Sequence, residues 1–253
     1  MYLMLVILLL LGIYFLFGKK KNVKILPHEN YKMLLAEHVA YYKKLDNSDK
    51  ARFEKLITEF LNDTHIEGVG TGITDLDRVL IASSAVIPIF GFPDWKYKNL
   101  TNVILYPDTF DKEFQFEGEN RNILGMVGSG YMNGQMLLSR AALTKGFSNS
   151  GGKENTAIHE FVHLLDKSDG ATDGIPENLI AHEYTIPWLH LMHAEMNRIE
   201  RGESDINVYA LTNEAEFFAV AAEYFFEKPE QLQQKHPDIY THLSRIFRQN
   251  PPA

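Results

Sequence analysis

His159 and His163 stand four residues apart, with Glu160 directly after the first, in the segment Asn155-Thr-Ala-Ile-His-Glu-Phe-Val-His-Leu-Leu-Asp166. On an α-helix, residues i and i+4 lie on one face, one above the other. Two imidazoles so placed can bind one Zn²⁺ at about 2.0–2.1 Å each. The intervening glutamate points slightly off that axis, toward a water on the metal, where it can act as general base. The pattern reads as a zinc peptidase site with Glu160 as base.

A catalytic zinc usually takes three protein ligands and leaves one position for water. The chain has no cysteine, so the third must be a histidine or a carboxylate. Asp169, ten residues after His159, is one candidate, but the chain has Asp166 where a turn to such a ligand would need glycine. Asp166 and Asp169 read better as helix-end and loop carboxylates, one of them able to orient a ligand histidine. His182-Glu183 is followed by Ile186 rather than His, and His190 and His193 read as face or core histidines of an amphipathic stretch. His28, His38, His65, His236 and His242 stand alone in the sequence. The strongest source is the apolar segment Tyr209 to Phe226, which carries Glu216 and Glu223 seven residues apart, hence on one helical face. Buried carboxylates are costly unless paired, and a metal would resolve that cost. Glu214 falls near the helix start, where an exposed acid is normal.

These residues need a scaffold, and the sequence outlines one. Ile158, Val162 and Leu165 form an apolar stripe at helical spacing around the histidine pair, preceded by a loop at Ser148 to Gly152 that also offers caps. Helical periodicity covers residues 31–45 and 48–61. A further buried helix, residues 76–90, starts at Thr74 or Asp75 and ends near Pro88. Val103 to Tyr106 reads as a short strand closed by Pro107, and Gln135 to Leu138 as a second. Between them, the glycine-rich Gly125 to Tyr131 reads as a turn, and it lacks the spacing of a phosphate loop. Helices resume at Glu154 and continue to Phe247. The expected class is α+β, mostly helical with a small mixed sheet against which the histidine helix packs. Gln135 to Leu138, just before that helix, is the strand expected to hold an extended peptide by β-augmentation.

The length of 253 residues suits one sizeable domain, and 45% apolar content fits a globular body. Net charge is −8, and the acidic balance argues against nucleic acid as a partner. Residues 1–18 carry no charge, and at a helical rise they reach about 27 Å, just enough to span a bilayer. Lys19-Lys20-Lys21 follow at once, the reverse of a secretory signal's order. The expected organisation is a transmembrane anchor at 1–18, a basic juxtamembrane linker at 19–27 and the peptidase domain at 28–253. The positive-inside rule then places the body in the cytoplasm, on the inner membrane of a bacterium.

The chain resembles the Mlc titration factor A family of zinc peptidases, and at its site it is similar to the metallopeptidase domain of anthrax lethal factor. The resemblance rests on His159-Glu160-x-x-His163 combined with Tyr209-x6-Glu216-Phe-Phe-Ala219. It extends over the Val-Leu-Ile-Ala run at 79–82, Leu-Tyr-Pro at 105–107, Gly134-Gln135 and Glu223-Tyr-Phe-Phe-Glu227. It implies a zincin-like fold, one Zn²⁺ per chain with Glu216 as third ligand, and Tyr209 facing the carbonyl of a peptide or protein substrate. Because that family binds a glucose-responsive repressor, the resemblance also implies an alternative, a membrane-tethered module that sequesters a transcriptional repressor. The N-terminal anchor is not part of the family's usual core.

Overall fold

Two helices that are apolar on nearly every face set the architecture. The first, Asp75–Ile89, buries every residue from Val79 to Ile89, Ser83 and Ser84 included. The second, Glu214–Glu227, buries Ala215 and the whole run from Phe217 to Phe226. A helix without a polar face must be enclosed by others. Between these two lies the histidine helix, Thr156–Asp166, packed against both. Phe161 on its far side meets Phe60 at 5.7 Å and Tyr97 at 5.2 Å between ring centroids. The site helix is thereby held from three directions.

The computed structural model describes residues 29–117, 121–128, 130–148 and 152–251. In chain order the helices there are α1 (Glu29–His38), α2 (Ala40–Lys44), α3 (Asn47–Asp63), α4 (Asp75–Ile89), α5 (Arg140–Gly146), α6 (Thr156–Asp166), α7 (His182–Glu200), α8 (Glu214–Glu227), α9 (Pro229–Lys235) and α10 (Pro237–Phe247). The strands are β1 (His65–Gly68), β2 (Asn102–Tyr106), β3 (Gly125–Val127) and β4 (Gln135–Ser139). The fold is α+β, mostly helical with one small mixed sheet. The segments read as anchor and basic linker, residues 1–18 and 19–27, lie outside the described residues. Among the described residues, no helix is long and apolar enough to cross a membrane.

The sheet runs in the order β1-β2-β4-β3. The first three strands are parallel, and β3 is antiparallel to β4, with Met126 opposite Leu137. This arrangement corrects two expectations. Gly125 to Val127 is a strand rather than part of a turn. And β4 is paired on both sides, so its backbone groups are taken up within the sheet and it cannot accept a peptide. The free edge beside the site belongs to β3.

Local signals explain most of the rest. Thr74 caps α4 through a reciprocal box with Asp77, whose carboxylate also receives Arg140 Nε and Nη2 at 2.9 Å each. Arg140 opens α5, so this fork ties the end of the sheet to the start of the central helix. Pro88 does not stop α4 but lies in its last turn. The stretch read as one helix over 31–45 is broken at Val39, which is extended and fully buried.

Candidate active site

Asn155 starts the site. Its side chain accepts from Ile158 N at 3.2 Å and caps α6, so the cap is Asn155 and not a residue of the loop at 148–152. Helical geometry then sets His159 and His163 on one face, their Nε2 atoms 3.0 Å apart. Asn213 caps α8 in the same manner, accepting from Glu216 N at 2.9 Å. Glu216 thus stands in the first turn of α8, where the helix dipole favours an acid. Its Oε2 reaches His159 Nε2 at 2.9 Å and His163 Nε2 at 3.4 Å. The three donor atoms lie within 4.8 Å of one another.

Glu223, two turns along α8, holds the other side of the first imidazole, with Oε1 at 2.8 Å from His159 Nδ1. Its Oε2 accepts from the backbone N–H of Asn155. Of the two acids that the residue pattern of α8 left open, Glu216 faces both Nε2 atoms and Glu223 orients one ring from behind. A carboxylate on Nδ1–H fixes the tautomer whose Nε2 carries a lone pair. Asp169 takes no part; its oxygens accept from Ala171 N and Glu177 N in a loop. His193 lies 3.1 Å from Glu214, on the helix face expected of it. His236 is not alone in space, since it is buried between Glu195 at 3.0 Å and Asp205 at 2.8 Å.

Electrostatics at the site follow from burial opposed by close partners. Burial disfavours the imidazolium of His159, but the bonds to Glu216 and Glu223 outweigh it and hold the ring at about 10. Glu216 is pushed up by burial and pulled down further by the two imidazoles, to about 2. Both shifts describe a pocket whose acceptors attract a cation. Burial raises the Glu160 carboxyl, with both histidines opposing. Burial and then Glu216 raise the Tyr209 hydroxyl, which stays a neutral donor at physiological pH.

The donor set fits zinc. A tetrahedral ion with bonds of about 2.0–2.1 Å keeps ligand atoms roughly 3.3 Å apart. The edges of the triangle here are 2.9, 3.0 and 3.4 Å, so it needs to open by only a few tenths. Two imidazoles and one carboxylate, with one ring already oriented by a second acid, make a three-ligand set that leaves a coordination position open.

Around this centre the surface forms a trough. A cavity of about 890 Å³ includes Ile123, Leu124, Thr156, Tyr209 and Val220 in its walls, and another of about 370 Å³ includes Val127, His163, Ala215 and Glu216. Both share Gly125, His159, Glu160 and Tyr209, so the donor set lies where they meet. Gly125 is required there, because a Cβ would lie 2.8 Å from Glu160 Cγ. Tyr209 stands on the opposite wall, 53% exposed, its ring centroid 6.1 Å from that of His159.

Residues 18–248 match the family described as glucose-regulated metallo-peptidase M90. The chain belongs to the M90 family. Among relatives, the Mlc titration factor A of Serratia proteamaculans is 30% identical over 226 residues, covering 83% of each chain. That of Klebsiella pneumoniae subsp. pneumoniae is 28% identical over 223 residues, 83% of this chain and 82% of its own. An uncharacterized protein of Synechocystis is 27% identical over 232 residues, 87% and 83%. Membership in M90 implies a metal, and His159, His163 and Glu216 form a group able to hold one.

One consequence of the site's mounting is measurable without any metal. Asn155 Nδ2 donates to Glu227 Oε1 at 2.8 Å, so Glu223 and Glu227 grip both ends of the cap. Burial raises the Glu227 carboxyl to about 7; the Asn155 bond opposes the rise and the Glu223 charge adds to it. An acid so raised binds more protons folded than unfolded between its ordinary value of 4.5 and about 7. Its ionisation therefore costs stability as pH rises through that window. Glu227→Gln keeps an amide oxygen for Asn155 and removes the charge. In metal-free protein the variant is expected to gain on the order of 1–3 kcal/mol over the native chain at pH 8 and nothing near pH 4. Denaturant titrations that show the same difference at both pH values would refute this origin.

Proposed function

We propose that the protein is a zinc-dependent peptidase that hydrolyses peptide bonds, built as a zincin-like domain. The observation that carries this reading is the convergence of His159 Nε2, His163 Nε2 and Glu216 Oε2 beside Glu160 at the junction of the trough. His159, His163 and Glu216 hold the ion, and Glu223 keeps His159 in the ligating tautomer. When bound, zinc supplies a Lewis acid that acidifies water and polarises a carbonyl. Glu160 takes the proton from the attacking water and returns it to the leaving amine. The Tyr209 hydroxyl donates to the developing oxyanion from the opposite wall. The free edge of β3 aligns an extended peptide through backbone hydrogen bonds. Because the trough continues on both sides of Glu160, it accommodates chain on both sides of the cleaved bond, which suits an internal peptide bond.

A second reading draws on the relatives' name, Mlc titration factor A. In it the same domain also binds a transcriptional repressor, with peptide hydrolysis weak or secondary. An intact base at Glu160 favours the enzymatic reading, since a purely structural ion needs none. The proposal extends to placement: residues 1–18 anchor the chain in the inner membrane with the domain on the cytoplasmic side. The uncharged run followed by three lysines supports that topology.

The test is metal content followed by cleavage. Protein purified without added metal and then titrated is expected to take up one zinc per chain and to cleave unstructured peptides only when loaded. Uptake below about 0.2 equivalents would remove the metal site. Full uptake without cleavage of any peptide would leave the binding reading in its place.

A further inference from the structure

The two imidazoles are supported unequally. Glu223 holds His159 Nδ1 at 2.8 Å, whereas His163 Nδ1 is buried with no hydrogen-bond partner among the described residues. One turn on, at the last residue of α6, Asp166 Oδ1 is likewise buried and without a partner. A buried donor and a buried acceptor, three residues apart on one helix, are neighbours on its surface. Native proteins rarely leave either kind of group unpaired. The two are not within 4.0 Å of each other, and one buried water between them satisfies both.

We infer that Asp166 is the positioning residue for His163, its Oδ1 and the ring Nδ1–H bridged by one buried water. The bridge holds the ring in the tautomer that presents its Nε2 lone pair to the ion, as Glu223 does for His159. This deepens the proposed metal site and rests on it. The second oxygen of Asp166 extends the effect to the third ligand. Oδ2 accepts from Gly174 N at 2.9 Å, and Gly174 O accepts from Trp188 Nε1 at 2.8 Å. Gly174 has φ +76°, and a Cβ there would lie 2.3 Å from Glu214 O. The glycine is therefore pressed against the first turn of α8, which carries Glu216. One carboxylate holds a ligand ring through the water with one oxygen and the segment bracing another ligand's helix with the other. Asp169, the neighbouring candidate, is committed to its loop.

Asp166→Asn separates these functions. The amide oxygen can still accept from Gly174, so the loop stays in place. The amide N–H₂ then donates to the bridging water, which turns its own hydrogen toward His163 Nδ1, favours the Nε2–H tautomer and blocks the lone pair. Two measurements follow. Imidazole ¹H–¹⁵N spectra of metal-free protein should show a protonated His163 Nδ1 in the native chain and an unprotonated one in Asp166→Asn. Chelator competition should show zinc affinity lowered about 10–100-fold, the range for such supporting partners, with little change in the metal-free melting temperature. An unchanged His163 tautomer in Asp166→Asn would overturn the inference, as would native zinc affinity. Gly174→Ala is the control for the loop: it should lower the melting temperature and leave the tautomer as in the native chain. The ¹⁵N readout needs no metal. A native chain that takes up no zinc would therefore defeat the metal-site reading, while the tautomer comparison still decides the role of Asp166.

Discussion

Glu160→Gln is expected to keep its zinc and to lose peptide hydrolysis by about 10²–10⁴-fold, the usual worth of a general base. The side chain lies between His159 and the edge strand, with Gly125 against it, and it supplies none of the converging donor atoms. An amide of the same shape fills the same space. It leaves the ligands and their supporting carboxylates untouched but cannot accept a proton from water. Metal uptake and cleavage must therefore separate in this variant. Cleavage at the native rate would take the base role away from Glu160. Loss of metal together with activity would show that the residue shapes the site rather than serving it.

Glu216→Ala is expected to weaken zinc binding by more than about 100-fold, beyond the range seen for residues that only support a ligand. Glu214→Ala, two residues earlier in the same first turn, should leave affinity at the native level. The contrast follows from where each carboxylate points. Glu216 Oε2 closes the triangle with both Nε2 atoms, while Glu214 lies outward, 3.1 Å from His193 and 43% exposed. Both changes remove one charge near the N-terminus of α8, so a long-range electrostatic effect would weaken both alike. Chelator competition with purified variants distinguishes the cases, and equal affinities would require a different third ligand.

The histidine pair was legible because it is short-ranged in sequence. The His159–His163 pair needs only helical spacing and an apolar stripe, and α6 formed as that pattern implies. Glu216 was harder. Spacing showed two buried acids on one face of α8 but not which faced the histidines, because the choice depends on how α8 docks beside α6. Resemblance supplied it, and the geometry brings the same residue to the donor set. The misreadings have the same root. His65-Ile-Glu-Gly68 has no apolar alternation and becomes a strand only because β2 lies beside it. Gly125 to Val127 reads as a turn because glycine is a poor strand former, yet the strand needs glycine there to pass Glu160. Placing the peptide on β4 failed because a single run of residues cannot show whether a strand is central or at an edge. His236 looked solitary because its partners, Glu195 and Asp205, come from elsewhere in the chain.

The sandwiching of α6 between α4 and α8 also bears on the order in which the protein assembles. The two histidines come together as soon as a few turns of helix form, but Glu216 is 57 residues from His159, and Glu223 is 68 from the Asn155 amide it receives. Closing loops of that size costs entropy that only the packed apolar faces of α8 repay. An unfolded chain therefore offers a metal two neighbouring imidazoles and no third ligand. On the proposed reading zinc would be a weak guide to folding and a selective ligand of the finished product, stabilising it by mass action. A molecule with its three donors assembled has already closed the 57-residue loop from His159 to Glu216, so metal uptake would report on quality of folding.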